Sequence, residues 1–359
     1  MNRLLALLFF CAAPAFGADY YVDNVNGSDA HDGRSREKAF LTIKQGVSVL
    51  EPGDRLVLTA NEEPYHENLA MKDRAGEASR PIEIDGRGAT LSGETRIPAD
   101  QWRAEGAGLY SAEHPLKPFD LKRFYMIIDG KMNRMGRNSK GGGSADFKNV
   151  ADLADYEWTW AEADKRLYVR LPRGKDPGSV RLAVPTSKCH SGVELEGNCR
   201  FLVIRNLTAT FFPNDGFNIH HRCADIRFSN NRALFNGDDG ISGHETCSFV
   251  VDGFYAEGNS TGICHIQDCV AVHRNVVLKR AAGIELLMQN KRNVFENVSV
   301  ESTARDICRF QGEELEIRGM TIRYLDGKRN VDFSTPKRDI RHCRVLDNAK
   351  HPIFTIDRP

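Results

Sequence analysis

The sequence predicts an all-β chain wound as a right-handed parallel β-helix, and three observations carry that prediction. First, a Gly-apolar pair recurs at Gly192-Val193, Gly216-Phe217, Gly240-Ile241, Gly262-Ile263 and Gly283-Ile284, then in altered form at Asp306-Ile307, Asn330-Val331 and Pro352-Ile353. The steps are 24, 24, 22, 21, 23, 24 and 22 residues. Second, Cys199, Cys223, Cys247 and Cys269 each follow their glycine by seven residues, so an independent marker keeps the same phase. Third, each unit reads as two short β-branched runs separated by Asn/Gly turns, and helical periodicity is absent from residue 190 onward. A unit of this length suits one coil of a solenoid, whose cores merge by stacking. Leucine-rich repeats share the length but need a Leu/Asn consensus that this chain lacks.

The elements follow in chain order. Residues 1–17, MNRLLALLFFCAAPAFG, combine a charged start at Arg3, an apolar run and small residues at Ala15 and Gly17. This is the pattern of an export signal, and the expectation is a secreted or periplasmic chain beginning near Ala18. No later run reaches the roughly 18 apolar residues of a membrane span. The 49 basic and 49 acidic residues balance, so neither nucleic acid nor membrane is expected as a partner, and a monomer is expected. Residues 18–94 read as an N-terminal cap and first coils, with a helix near 41–50 stopped by Pro52-Gly53. Residues 95–188 break the repeat with all three tryptophans, the glycine run of NSKGGGSADF and the strand-like RFYMIIDGKMNRMGR and KRLYVRLP. They read as a β-rich insertion whose aromatics, Trp160 among them, either pack its interior or join Arg134, Arg137 and Lys140 in one wall of a sugar cleft. Residues 189–359 are the main coils.

Side chains alternate along a strand, so the second and fourth residues after each marker glycine should point outward. The second positions are Glu194, Asn218, Ser242, Cys264 and Glu285; the fourth include Glu196, His220 and His244. Asp215 and Asp239 each precede a glycine. With coils about 4.8 Å apart, Asp215 should stack on Asp239 and His220 on His244. Two carboxylates this close cannot both ionise freely, and a raised pKa is what a general acid needs. Glycoside hydrolysis uses two carboxyl groups about 5–9.5 Å apart. The catalytic candidates are therefore Asp215, Asp238, Asp239 and His244. The substrate-binding candidates are His220, Asn218, Glu194, Glu285, Arg137 and Trp160, and the expected partner is a polysaccharide or oligosaccharide. Asp and Asn before Gly are also ordinary turn residues. No metal or cofactor is expected: the His and Cys of HHRC and HETC fall on opposite faces of an ideal strand, and the acidic loop DNVNGSDAHDG lacks EF-hand spacing. The cysteine ladder reads as core, either free or paired between coils.

Two resemblances extend this reading. DYYVDNVNGSDAHDGRSREKAFLTIKQGVSVLEPGDRLVL resembles the opening coil and capping helix of secreted β-helix proteins of the pectate-lyase superfold. Asn214-Asp215-Gly216-Phe217, followed one coil later by Gly237-Asp238-Asp239-Gly240, resembles the motifs of the polygalacturonase family of glycoside hydrolases. That likeness implies Asp238 as general acid, with Asp215 and Asp239 activating water. Ser260-Thr261-Gly262 stands where that family has Gly-His-Gly, so the sugar stays open. Two rivals remain: a lyase or epimerase acting on uronates, with Glu285, Lys279 and Arg280 as base and cations and calcium as its ion, and a non-catalytic carbohydrate-binding protein.

Overall fold

The computed structural model describes residues 17–114, 116, 121–140, 144–325 and 330–356. The expected leader lies outside the described residues except for Gly17, as do residues 141–143 of the glycine run. The chain is nearly all-β, about 5% helical, and forms a parallel β-solenoid of about 7 turns. Among the described residues no helix is long and apolar enough to cross a membrane.

One side of the coil is built by Val193–Glu196, Phe217–Ile219, Asp239–Gly243 and the start of Thr261–Lys279, stacked in parallel with Val193 under Phe217, Phe217 under Ile241 and Ile241 under Ile263. These residues, with Leu195 and Ile219, are fully buried. From the next side Phe228 and Phe249 enter the same core; Phe228 meets Phe217 edge to face at 5.8 Å and Phe249 at 5.9 Å. Such contacts add to the burial of each ring. One corner repeats through Asn206, Asn230, Gly253, Asn275, Asn297 and Gly319, whose φ angles lie between 53° and 81°. Asn and Gly tolerate this left-handed conformation, which bends the chain without breaking the ladder. Asn297 Nδ2 donates to Asn275 Oδ1 at 2.7 Å, and Asn275 Nδ2 to Asp252 Oδ1 at 2.7 Å, so this corner is tied from coil to coil.

At the other end, Leu69–Lys72, Ile82–Asp85 and Thr90–Ser92 stack on Val193–Glu196, Arg200–Arg205 and Thr208–Thr210, across the whole interruption. The helix near them runs Ile43–Ser48, shorter than the sequence reading, because Thr42 already caps it by accepting Gln45 N–H at 3.1 Å. Ile43 and Val47 pack into the core.

The interruption forms two antiparallel four-stranded sheets. One holds Glu94–Arg96, Met126–Ile128, Lys131–Asn133 and Leu182–Pro185; the other holds Arg103–Gly106, Leu109–Glu113, Trp158–Ala161 and Arg166–Arg170. Their shared core contains Trp102, Trp158, Trp160, Leu167 and Val169. Trp160 is thus corrected from sugar ligand to core residue: it is buried, and its Nε1 donates to His114 O at 2.9 Å.

Candidate active site

The turn before Asp239–Gly243 carries Asp238, and the turn one coil earlier carries Asp215. In parallel register Asp215 falls under Asp239, since Phe217 lies under Ile241. One oxygen of each of Asp215, Asp238 and Asp239 lies within 4.8 Å of the others. They are 2%, 5% and 1% exposed. Burying three carboxylates is costly unless charge and hydrogen bonds are returned, and both come largely from the insertion.

Lys140 Nζ donates to Asp239 Oδ1 at 2.6 Å and Oδ2 at 2.7 Å, and lies 3.2 Å from Asp238 Oδ1. Arg123 Nη1 lies 3.3 Å from Asp238 Oδ2, and the Ser139 hydroxyl donates to Asp238 Oδ1. Asp215 instead has neutral partners: Asn218 Nδ2 at 2.6 Å, Ser242 Oγ at 2.6 Å and Asp239 N–H at 2.9 Å. The protonation equilibria separate accordingly. Burial raises Asp215 to about 6, helped by the charge of Asp238. Burial also works to raise Asp238, but Lys140, Arg123 and Ser139 outweigh it and hold that carboxyl below its usual range. Burial would lower Lys140, yet Asp239 and its neighbours hold it well above the ordinary lysine value. Three carboxylates thus face two cations, and burial raises both Asp215 and Asp239, the latter well above the usual carboxylate range. Three oxygens this close are a donor set that suits a divalent ion, and the Lys140 ammonium supplies positive charge among them.

Beside this cluster runs a polar groove of about 470 Å³ whose lining includes Glu194, Asn218, His220, His190, Asn214 and Lys188. Asn218 joins the two, facing the groove and donating to Asp215 behind it. Lys188 also lines a second groove, of about 580 Å³, bordered by Arg96, Arg181 and His66. Glu194 is held by Asn68 Nδ2 at 3.0 Å and Ser191 N–H at 2.8 Å. His220 and His244 stack with ring centroids 4.2 Å apart and planes 4° from parallel. Burial first, then the neighbouring His220, lowers His244 to about 4, so its ring is neutral.

The fold matches that of a solved glycoside hydrolase. The similarity to that structure has a TM-score of 0.57 at 10% identity and covers 92% of this chain and 91% of that one. A solved GH136 lacto-N-biosidase from Eubacterium ramulus aligns with 91% of this chain and 68% of its own length, at 11% identity and a TM-score of 0.32. In sequence, a lacto-N-biosidase of Bifidobacterium longum subsp. longum is 32% identical over 97 residues, which is 25% of this chain. This chain covers only 6% of that protein's length. No family model matches the chain.

The remaining candidates lie elsewhere. Glu285 does not share the outward face, because the fifth marker slips: Ile284, not Ala282, stacks on Thr261, and Leu286, not Ile284, stacks on Ile263. Glu285 therefore takes the interior glycine position, fully buried, where it accepts Ala281 N–H at 2.8 Å. Arg137 is buried within the insertion, its guanidinium 3.8 Å from the Phe147 ring and its Nη1 donating to Ala145 O at 2.9 Å. Arg134 is no cleft wall either: it reaches the solenoid and donates to the carbonyls of Asn236, Gly237 and Gly258. Lys279 and Arg280 pair with Glu301 and Glu257. The second position of the next coil, Cys264, is covered rather than outward, buried beside Lys140.

Sequence reading missed Arg123 and Ser139, which carry no local signal, and also Asn68 and Lys188. His190 had one, since it precedes Ser191-Gly192 at the start of a coil.

Burial lifts Glu285 from 4.5 to about 7. A carboxyl raised on folding contributes stability that is fully present below its unfolded value and is lost as pH rises through the folded one. Glu285→Gln should therefore flatten the fall in melting temperature between pH 5 and pH 8, gaining over wild type at pH 8 and little at pH 5. Equal pH dependence in the two proteins would show that Glu285 is solvated.

Proposed function

We propose that this chain hydrolyses glycosidic bonds in a polysaccharide or oligosaccharide bound along the groove. The observation that carries the reading is three buried carboxyls on adjacent coils with unlike partners, Asp238 and Asp239 against cations and Asp215 against neutral donors, which raises Asp215 and holds Asp238 low. Carboxyl groups whose environments pull them apart in this way are the usual acid and base of glycoside cleavage. In this assignment Asp215, next to the groove through Asn218, donates the proton, and the ionised partner attacks the anomeric carbon or activates water. This differs from the polygalacturonase likeness, under which Asp238 would be the acid. With oxygens within 4.8 Å, the set is nearer the roughly 5–5.5 Å of a covalent glycosyl intermediate than the roughly 6.5–9.5 Å of direct inversion. Entry of the sugar requires Ser139 and Lys140 to lift from Asp238 and Asp239.

Hydrolysis is favoured over elimination because the cluster pairs a carboxyl raised by burial with one held low, while the amine at the cluster, Lys140, is held protonated and so is not a base. The similarity to proteins named as a glycoside hydrolase and a lacto-N-biosidase supports a carbohydrate-active enzyme. Incubation with a panel of glycans, reading reducing ends together with the ultraviolet absorbance of unsaturated uronates, tests the assignment. Reducing ends without new absorbance are expected; new absorbance would establish a lyase, and binding without either product a carbohydrate-binding protein.

The stacked imidazoles of His220 and His244 offer a flat face to a sugar ring at the edge of the groove. His220→Ala should raise KM about 3- to 10-fold, equivalent to the ~0.5–1.5 kcal/mol of one ring contact, with kcat nearly unchanged. A matching loss in kcat instead would place His220 in the chemical step.

A further inference from the structure

The cysteine ladder plays no part in the chemistry proposed above, yet it is the most regular reactive feature of the chain. Cys199, Cys223, Cys247 and Cys269 occupy one corner of four successive coils, each at most 1% exposed, and all carry free thiols. The backbone ladder sets each beside the next: Ala224 N–H donates to Cys199 O at 2.9 Å, Ser248 N–H to Cys223 O at 2.8 Å and Val270 N–H to Cys247 O at 2.9 Å. Bonds between neighbouring coils can use all four thiols only as Cys199–Cys223 and Cys247–Cys269. Space is reserved as well, since a Cβ on Gly243 would lie 2.7 Å from the Cys269 sulfur.

Strands about 4.8 Å apart put paired Cα atoms inside the roughly 4.4–6.8 Å that a disulfide spans. We propose that the ladder is a modification site that closes as two inter-coil disulfides, Cys199–Cys223 and Cys247–Cys269, when the chain folds in the presence of a small-molecule disulfide. The thiolate of one cysteine attacks the reagent's sulfur and releases one thiolate. The neighbouring cysteine, losing its proton to solvent, then attacks the mixed disulfide and releases the second. Two protein thiols are oxidised to one S–S bond, and the reagent is reduced to two thiols. Because the thiols are buried, exchange belongs to the folding chain, before the coils close over them. The bonds would staple coils two by two, so that unravelling from an end must release pairs of coils together.

The test is refolding of the full chain with oxidised and reduced glutathione, followed by denaturation, alkylation and mass mapping. The expected product is about 4 Da lighter than the fully reduced chain, two hydrogens for each bond. Its linked peptides join Cys199 to Cys223 and Cys247 to Cys269, while Cys189, Cys264, Cys308 and Cys343 are alkylated. Wild-type protein that refolds with all of its thiols alkylated would overturn the proposal, as would a dominant Cys223–Cys247 link. A Cys223→Ala chain is expected to keep the Cys247–Cys269 bond and leave Cys199 alkylated; Cys199 linked to another cysteine would also count against it.

Discussion

Asp215→Asn is expected to lower glycan cleavage about 10²–10⁴-fold, the range for losing a general acid or base, with the loss in kcat and little change in KM. Asn keeps the shape of Asp and still accepts Asp239 N–H, so the fold should persist and melting should stay close to that of wild type. Asp239→Asn should lose activity to a similar degree, since Asp239 completes the same buried cluster, its oxygen within 4.8 Å of those of Asp215 and Asp238. The proton on Asp215 fixes the pH profile. The acid is competent only while protonated, so the rate should fall as pH rises through about 6, where burial and Asp238 place the Asp215 equilibrium. Asp215→Asn and Asp239→Asn enzymes that both retain full activity would refute the assignment of this cluster as the catalytic centre. Steady-state kinetics on the glycan that gives reducing ends, across pH 4 to 9, decides it.

The second large effect belongs to stability. Lys140→Met should cost about 3–5 kcal/mol at neutral pH, the usual consequence of removing one partner of a buried ion pair and leaving the other charged. The ammonium touches both Asp238 and Asp239, and its side chain is 26% exposed. The sign with pH is definite: as pH falls and Asp238 protonates, the unpaired charge disappears and the deficit should shrink. Denaturant melts of wild type and Lys140→Met at pH 7 and pH 4 measure this. Limited proteolysis should cut the variant within residues 95–188 sooner, because Lys140 fastens the insertion to the solenoid. A variant as stable as wild type at pH 7 would mean that the carboxylates are neutral without Lys140.

The solenoid was legible because its repeat is a local property: 21 to 24 residues close one coil, and each coil repeats the same inward and outward alternation. The stacking of Asp215 with Asp239 and of His220 with His244 follows from that period alone. Glu285 shows where the reasoning stops. Gly283-Ile284 mimics the marker, yet Leu286 rather than Ile284 stacks above Ile263. Both are apolar, so no spacing or hydropathy rule reveals this register shift of two residues. Arg123, Ser139 and Lys140 were invisible as a group for another reason. Their meeting with Asp238 depends on how the insertion, with its own core, packs on the solenoid, and nothing periodic links the two. Trp160 and Arg137 were misread because exposure had been inferred from composition, whereas the insertion has a core of its own to fill.

The placement of the insertion also dictates an order of events at birth. Leu69–Lys72 has its stacking partner in Val193–Glu196, and the contact between Asn68 and Glu194 closes a span of 126 residues. Loop closure over such a distance is slow compared with pairing of adjacent coils. A nascent chain therefore carries this early strand unpaired until the insertion has been synthesised and its ends drawn together. For that interval an open strand edge faces the surroundings, a template for other chains. Whatever escorts the polypeptide during synthesis must shield that edge.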